Sequence, residues 1–210
     1  TPVAIGTAVI TATKAADDEF QQASADYTVE VLESGQIFEF TESIVTELVG
    51  NSFTNELIDT GNGTGNVTYV SSNTEVASVG IASGFVITST VGSAIITATK
   101  AADEVFDESS AEYTVNVVLR PQTLAFENLG PIQVNVGVST FSNPLIESEP
   151  VNATGEITFE SSNENVAFYD DDEVIIESVG TTVITATKAA DNIYDSATVS
   201  FTFTVLGNPL

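Results

Sequence analysis

ITATKAAD occurs three times in this chain of 210 residues without a change, at residues 10–17, 96–103 and 184–191. Each copy begins with alternating apolar and polar side chains, which is typical of a β-strand with one buried face. In every copy we expect the isoleucine and the first alanine to face a core and the two threonines to face solvent. An active site is usually built once from residues of different roles, so three identical copies indicate a repeated building block.

The repeat is longer than the octapeptide. Its lysine recurs at Lys14, Lys100 and Lys188, at intervals of 86 and 88 residues. Downstream, ADYTVEV at 25–31 matches AEYTVNV at 111–117. An interval of this length is well above that of most small solenoid repeats and suits a whole β domain.

Turn and strand-breaking signals set the boundaries of the repeats. Pro121 ends the strand before it, because proline cannot continue a hydrogen-bonded ladder, and Gly35 marks a turn at the corresponding place one repeat earlier. We therefore predict complete repeats at 34–119 and 120–210, preceded at 1–33 by the last third of another repeat. Short alternating strands separated by Gly, Asn and Asp turns predict an all-β fold of antiparallel β-sandwiches.

Residues 1–33 hold two predicted strands but too few residues for a core. A two-stranded hairpin alone is marginally stable in water, so something must order it. Three alternatives follow. The segment packs on the neighbouring repeat, it completes a domain whose other strands come from another chain by strand donation, or it is the edge of a longer array.

Composition excludes several classes of function. The chain has 30 Asp and Glu against 4 Lys and Arg, a formal net charge of −26, and no His, Cys, Met or Trp. Such a charge repels nucleic acid and anionic lipid, and no apolar run reaches the roughly 18 residues of a membrane helix. Without His or Cys there is no disulfide, no ordinary zinc site and no His-activated nucleophile. We expect no catalytic residue, no enzymatic activity, no nucleic-acid partner and no membrane insertion.

Acidic residues follow each octapeptide and have two interpretations. In the first, they close a turn, the lysine extends past the core edge to water, and an aromatic residue (Phe20, Phe106 or Tyr194) covers the open end of the sandwich. In the second, they bind Ca²⁺, which prefers several oxygen ligands, although none of these turns has the D-x-D-x-D-G-x5-E spacing of a calcium loop and the nearby lysine opposes a divalent ion. The candidate ligands are Asp17, Asp18, Asp103, Glu104, Asp107, Asp191 and Asp195. No other cofactor is expected.

Three sequons are present, at Asn62, Asn66 and Asn152. They are candidate N-glycosylation acceptors if the source organism modifies asparagine, and turn residues otherwise.

A second motif repeats in the same order in both complete repeats. It reads SSN at 71–73, VA at 76–77, a strand led by glycine at Gly92–Lys100, and Asp103. It recurs at 161–163, 166–167, Gly180–Lys188 and Asp191. The pattern resembles the bacterial immunoglobulin-like (BIG2-type) repeat, which occurs in tandem in large surface adhesins and invasin-like proteins. The resemblance implies tandem immunoglobulin-like antiparallel β-sandwiches at the cell surface or outside the cell.

The resemblance is specific for a fold and weak for a function. We expect a non-enzymatic structural protein whose modules build an extracellular stalk, adhesin or self-assembling surface filament, with further copies or neighbouring repeats as partners and subunits joined by strand donation. The alternative is an adhesin module that binds a surface carbohydrate or a host protein. Sugar sites favour exposed aromatic residues, whereas most of the 12 Phe here occupy inward positions of predicted strands.

Overall fold

A computed structural model describes residues 6–31, 37–61, 63–148 and 153–207 of the chain. All regular secondary structure in these residues is β-strand, which confirms the predicted all-β fold. No helix in the described ranges is long and apolar enough to cross a membrane.

The strands fall into an N-terminal hairpin and two sets of nine. The hairpin consists of β1 (Gly6–Lys14) and β2 (Ala23–Val31). The first set is β3 (Phe38–Phe40), β4 (Ile44–Leu48), β5 (Ser52–Thr54), β6 (Leu57–Asp59), β7 (Val67–Ser71), β8 (Ala77–Val79), β9 (Phe85–Thr88), β10 (Gly92–Lys100) and β11 (Ser109–Val118). The second set is β12 (Thr123–Phe126), β13 (Ile132–Asn135), β14 (Thr140–Ser142), β15 (Leu145–Ser148), β16 (Ile157–Ser161), β17 (Ala167–Asp170), β18 (Glu173–Ile176), β19 (Gly180–Lys188) and β20 (Ala197–Leu206).

The two sets have the same topology. The first forms sheets in the order β4-β11-β10-β7, β5-β9-β8 and β3-β6, and the second repeats it as β13-β20-β19-β16, β14-β18-β17 and β12-β15. Within the second set β13 pairs with β20 in parallel, while the hairpin of β19 and β20 is antiparallel. These are two immunoglobulin-like β-sandwiches in tandem, as expected from the sequence. We call them the first sandwich (β3–β11) and the second sandwich (β12–β20).

The core of the second sandwich lies between its sheets. The ring of Phe126 meets that of Phe201 edge-on, with centroids 4.7 Å apart, and Phe141 lies 5.7 Å from Phe203. These rings come from strands of different sheets, so the contacts close the sandwich. The buried cluster comprises Leu124, Phe126, Val166, Ala167, Tyr169, Val174, Ile184, Ala186, Phe201, Phe203 and Val205.

The first sandwich has an equivalent core. The ring of Tyr113 lies 4.5 Å from that of Phe40 and 6.4 Å from that of Phe53, so β11 again contacts strands of both smaller sheets. Residues without solvent exposure include Val86, Ile96, Ala98 and Val115. Alternate residues of β10 and β11 therefore point inward, which confirms the predicted alternation for this copy of the octapeptide.

The repeated SSN motif has a structural role in both sandwiches. Ser71 Oγ donates a hydrogen bond of 2.6 Å to the carbonyl of Ala77, and Ser161 Oγ donates one of 2.6 Å to that of Ala167. Both alanines are fully buried and begin the next strand. The serine therefore fixes the crossing from one sheet to the other.

The chain divides into two compact units, Thr1–Thr46 with Ser52–Ile87 and Ser93–Asn116, and Glu47–Asn51 with Thr88–Gly92 and Val117–Leu210. Arg120 holds the segment Glu47–Asn51 within the second unit. Its Nε donates to the carbonyl of Val49 at 2.8 Å and its guanidinium donates to Asn51 Oδ1 at 2.5 Å, while its own N–H donates to the carbonyl of Ile193. The repeat boundaries at 34–119 and 120–210 stay predictions.

Candidate functional site

The three octapeptides all form the end of one strand and the turn that leads to the next. In the N-terminal hairpin Ile10 lies opposite Tyr27, and in the second sandwich Ile184 lies opposite Phe201. The hairpin β1–β2 is thus the structural counterpart of β10–β11 and β19–β20, the last two strands of each sandwich.

The same side chains have different surroundings in the three copies. Ile96 and Ile184 are 0% exposed in the sandwiches, whereas Ile10 is 44% exposed. Tyr113 is 2% exposed, whereas Tyr27 is 62% exposed. The hairpin therefore presents to solvent the face that its two counterparts bury.

This exposure corrects one prediction. Ile10 and Ala12 were expected to face a core, but every residue of β1 is exposed on both faces of the strand. The physical reason is that a face is buried only when a second sheet covers it, and in the described residues none covers β1. For the copies at 96–103 and 184–191 the prediction is confirmed.

The turn of the first sandwich is closed by Asp103. Its Oδ1 accepts hydrogen bonds from the backbone N–H groups of Val105 at 2.8 Å and Phe106 at 2.9 Å. Its Oδ2 accepts the N–H of Thr64 at 2.5 Å and the Thr64 hydroxyl at 3.2 Å. The hydrogen bonds donated by the backbone N–H groups of Val105, Thr64 and Phe106 hold the pKa of this carboxyl well below its usual range. The carboxylate therefore ties the turn to a loop 39 residues earlier.

The second sandwich repeats this arrangement with Asp191. Oδ1 accepts the N–H groups of Ile193 and Tyr194, both at 2.8 Å, and Oδ2 accepts the N–H and the hydroxyl of Thr154 at 2.7 Å and 3.0 Å. The hydrogen bonds donated by the backbone N–H groups of Ile193, Thr154 and Tyr194 lower the pKa of Asp191 in the same way. Both sandwiches therefore close this turn with an aspartate that accepts hydrogen bonds from equivalent donors.

A glycine after each threonine lets the loop approach the turn. A Cβ on Gly65 would lie 1.8 Å from the carbonyl oxygen of Ala101, and one on Gly155 would lie 1.8 Å from that of Ala189. In addition, the N–H of Ala101 donates to the carbonyl of Asn66 at 3.0 Å. The Thr-Gly pair is therefore needed as a unit, since threonine supplies the two donors and glycine permits the close contact.

The lysine of the octapeptide is buried in both sandwiches. Lys100 is 4% exposed and its Nζ lies 2.6 Å from Asp59 Oδ2, and Lys188 is also 4% exposed. The expectation that the ammonium reaches water past the core edge is therefore wrong for these two copies. A buried ammonium requires a paired acid, and β6 provides Asp59 for this purpose in the first sandwich.

The N-terminal hairpin has the turn without its completing groups. Asp17 Oδ1 accepts the N–H groups of Glu19 at 3.0 Å and Phe20 at 2.8 Å, as in the sandwiches. Lys14 is exposed, and its Nζ lies 5.1 Å from the centroid of the exposed ring of Phe20. Within the described ranges no threonine donates to Asp17 and no acid pairs with Lys14.

The predicted calcium ligands are not brought together as a group. In the part of the chain that the structure describes, no cluster of three or more acidic side chains could hold a metal ion. Asp103 and Asp191 are half-buried and bound to backbone amides. The exposed candidates are Asp17, Asp18, Glu104, Asp107 and Asp195. Calcium binding stays a prediction.

Of the predicted glycosylation sites, Asn66 is exposed and directly precedes β7, and its backbone carbonyl accepts the bond from Ala101. Asn62 and Asn152 lie outside the described residues. Glycosylation also stays a prediction.

Three residues that bind side chains of the octapeptide were not predicted from the sequence: Thr64, Thr154 and Asp59. A signal for the threonines existed, because Thr-Gly recurs at 64–65 and 154–155, ahead of the identical aspartates. Asp59 left no such signal, since the second sandwich has LIE where the first has LID.

No family model matches the chain, and no curated protein sequence matches it. Among solved structures it is similar to titin domains Z1Z2 in complex with telethonin, with 15% identity, 85% of this chain and 100% of that chain covered, and a TM-score of 0.43. It is also similar to domains 1–6 of the surface layer protein SbsC, at 20% identity over 97% of this chain and 32% of that chain, with a TM-score of 0.37. It is similar as well to human protocadherin-24 EC1-2, at 15% identity over 83% of this chain and 100% of that chain, with a TM-score of 0.36. These scores are too low to relate the chain to any one of these proteins.

Proposed function

We propose that the chain is a non-enzymatic structural protein whose immunoglobulin-like modules build an extracellular stalk or a self-assembling surface filament. Neighbouring subunits or repeats are joined by strand donation through the N-terminal hairpin, and the repeats are of the bacterial BIG2 type. The observation that carries this proposal is the three-fold use of one hairpin. Two copies complete sandwiches, and the third exposes the same apolar face.

The exposed face supports the joining role. Ile10 and Tyr27 are exposed in the hairpin, and their counterparts are buried. Burying a large apolar side chain stabilises a protein by about 1.5–3 kcal/mol, and a lone two-stranded hairpin is marginal in water. Covering this face would therefore stabilise both the hairpin and the junction that it forms.

The strand arrangement of the second sandwich supports a load-bearing role. β13 lies near the start of the sandwich and β20 at its end, and the two pair in parallel from Ile132 opposite Phe203 to Asn135 opposite Leu206. Pulling the ends of the sandwich apart would slide these strands past each other. The ladder bonds would then be loaded together and not one after another, which raises the force needed to separate them.

The surface chemistry supports a location outside the cell. The chain lacks Cys, Met and Trp, so it offers no thiol or thioether to oxidants. Its net charge of −26 disfavours non-specific association with nucleic acid and anionic lipid.

Single-molecule force spectroscopy on the full chain, pulled by its two ends, tests the load-bearing role. We expect one cooperative unfolding event for each sandwich. Val134→Pro, which removes a ladder donor from β13, should lower the force of one event. Thr140→Pro is the matched control, because it alters the edge strand β14, which does not pair with a terminal strand. Extension without resisting events, or equal forces for the chain and Val134→Pro, would contradict the proposal.

A further inference from the structure

We infer that the N-terminal hairpin is completed by one kind of partner, a set of strands equivalent to β3–β9 that lacks its own last two strands. This inference rests on the proposed function, in which the hairpin joins neighbours by strand donation, and adds the chemistry that identifies the acceptor. Three features of the hairpin each require a matching feature in that acceptor.

The first feature is the apolar face. The hairpin carries Ile10 and Tyr27 at the positions of Ile96 and Tyr113. In the first sandwich the ring of Tyr113 packs against rings from the two smaller sheets, at 4.5 Å and 6.4 Å. The acceptor must therefore present aromatic side chains at the positions of Phe40 and Phe53.

The second feature is the carboxylate of Asp17. Its Oδ1 already accepts the two backbone amides of its own turn, in the geometry of Asp103 and Asp191. In both sandwiches the other oxygen accepts the N–H and hydroxyl of a threonine that precedes a glycine. The acceptor must therefore contain a Thr-Gly loop placed as in 64–65 or 154–155.

The third feature is Lys14. Its counterpart Lys100 is buried against Asp59 at the end of β6. Asp59 lies opposite Phe38, and Glu147 holds the corresponding place in the second sandwich, opposite Leu124. The acceptor must therefore carry an Asp or Glu at this register position to pair with Lys14.

A complete sandwich cannot be this acceptor. In the first sandwich β7 is already paired with β10, and Thr64 and Asp59 are already bound to Asp103 and Lys100. The places that the hairpin would occupy are thus filled by the sandwich's own last two strands. The acceptor needs the first seven strands of such a repeat with the places of the last two open.

Two extended chains test the inference. In one, a duplicate of residues 36–91 replaces residues 1–5. The duplicated Val91 is then followed by Gly6, which corresponds to Gly92, so the junction has the same order as Val91 and Gly92 in the first sandwich. In the other, a duplicate of 121–179 is placed before Gly6, as Val179 precedes Gly180. The rest of the chain is unchanged. Hydrogen exchange is followed by mass spectrometry in the peptide 20–31, whose sequence is unique, whereas the octapeptide occurs three times.

We expect exchange of residues 20–31 to be at least ~100-fold slower in either extended chain than in the 210-residue chain, approaching the rate of 106–117. Asp59→Ala, made only in the duplicated copy of 36–91, should remove most of this protection, because it leaves Lys14 buried without its paired acid. Thr64→Ala in the same copy removes only the hydroxyl donor to Asp17 and should remove a smaller part of it. Glu39→Ala in the same copy is the matched control, because Glu39 is an exposed residue of β3.

Unchanged exchange of 20–31 in both extended chains would overturn the inference. So would concentration-dependent protection of 20–31 in the unextended chain together with a dimer in sedimentation, since the acceptor would then be a second complete copy. Either result leaves the force measurement untouched, so a wrong acceptor can be told apart from a wrong structural role.

Discussion

The hairpins β1–β2 and β10–β11 contain the same octapeptide in opposite environments. Both close their turn in the same way, with Asp17 Oδ1 bound to the N–H of Phe20 at 2.8 Å and Asp103 Oδ1 to that of Phe106 at 2.9 Å. Only in the second does the isoleucine enter a core. The local sequence is therefore sufficient for the strand end and the turn, whereas burial depends on strands supplied from elsewhere in the fold.

The largest expected difference between the hairpins is in how much the isoleucine side chain contributes to the free energy of unfolding. Ile96→Ala should lower the free energy of unfolding by about 2–5 kcal/mol, because it removes a fully buried side chain and leaves a cavity. Ile10→Ala should change it by less than about 0.5 kcal/mol, as is usual for an exposed residue. Urea unfolding of the two variants measures both values. Equal losses would show that the N-terminal hairpin is covered in solution.

The next effect concerns the Thr-Gly loop, which the sandwiches have and the hairpin lacks. Gly65→Ala and Gly155→Ala should each cost about 1–3 kcal/mol, because the new methyl would meet a backbone carbonyl and the loop must shift. Gly130→Ala is the control, since a Cβ there would meet nothing within 4 Å. Thermal unfolding compares the three variants, and a loss at Gly130 equal to that at Gly65 would contradict the close contact.

A smaller effect separates the tyrosines. The Tyr113 hydroxyl is buried and has no hydrogen-bond partner among the described residues, whereas that of Tyr169 donates to the carbonyl of Asn143 at 2.9 Å. Tyr113→Phe should therefore stabilise the chain by about 1 kcal/mol, and Tyr169→Phe should destabilise it by a similar amount. Tyr27→Phe, on the exposed hairpin, should have no measurable effect. Chemical unfolding at neutral pH gives all three values, and a loss in Tyr113→Phe would reveal a partner for its hydroxyl.

The alkaline limb of stability tests the same burial. Burial, with a smaller contribution from Tyr69, raises the pKa of Tyr113 to about 12 from its ordinary value of 10.0. The unfolded chain then loses this proton first, so stability should decrease as the pH rises from about 10 to about 12. Tyr113→Phe should make this decrease smaller. A decrease of the same size in the variant would contradict a shifted Tyr113.

The smallest expected effect is on the loss of folding stability at acidic pH. The amides that bind Asp103 and Asp191 lower the folded-state pKa of both carboxyls, so their contribution is present above their ordinary pKa of 3.8 and is lost as the pH falls below it. The double variant Thr64→Ala and Thr154→Ala removes one donor from each carboxylate and should reduce this loss. Unfolding midpoints between pH 5 and pH 2 measure it, and an unchanged acid limb would argue against the carboxylates.

The sequence was sufficient for the strands and turns because these depend on neighbours along the chain. Alternation in the octapeptide predicted the inward face of Ile96 and Ile184, and the recurring Asp marked the turn. The predictions from the octapeptide were wrong where burial depends on residues that are distant in the sequence. Lys100 is buried because it pairs with Asp59, which lies 41 residues away in the sequence, and Ile10 is exposed because no sheet within the described residues covers it. Neither condition can be read from the eight residues themselves.

The N-terminal hairpin is an open copy of an element that both sandwiches bury in their cores. Hydrogen exchange of the unextended chain, followed in peptides 20–31 and 106–117, compares the two hairpins in one experiment. We predict that residues 106–117 exchange at least ~1,000-fold more slowly than 20–31, since the former open only when the sandwich unfolds and the latter form a lone hairpin. Equal protection of the two peptides at low protein concentration would contradict the open state of the N-terminal hairpin.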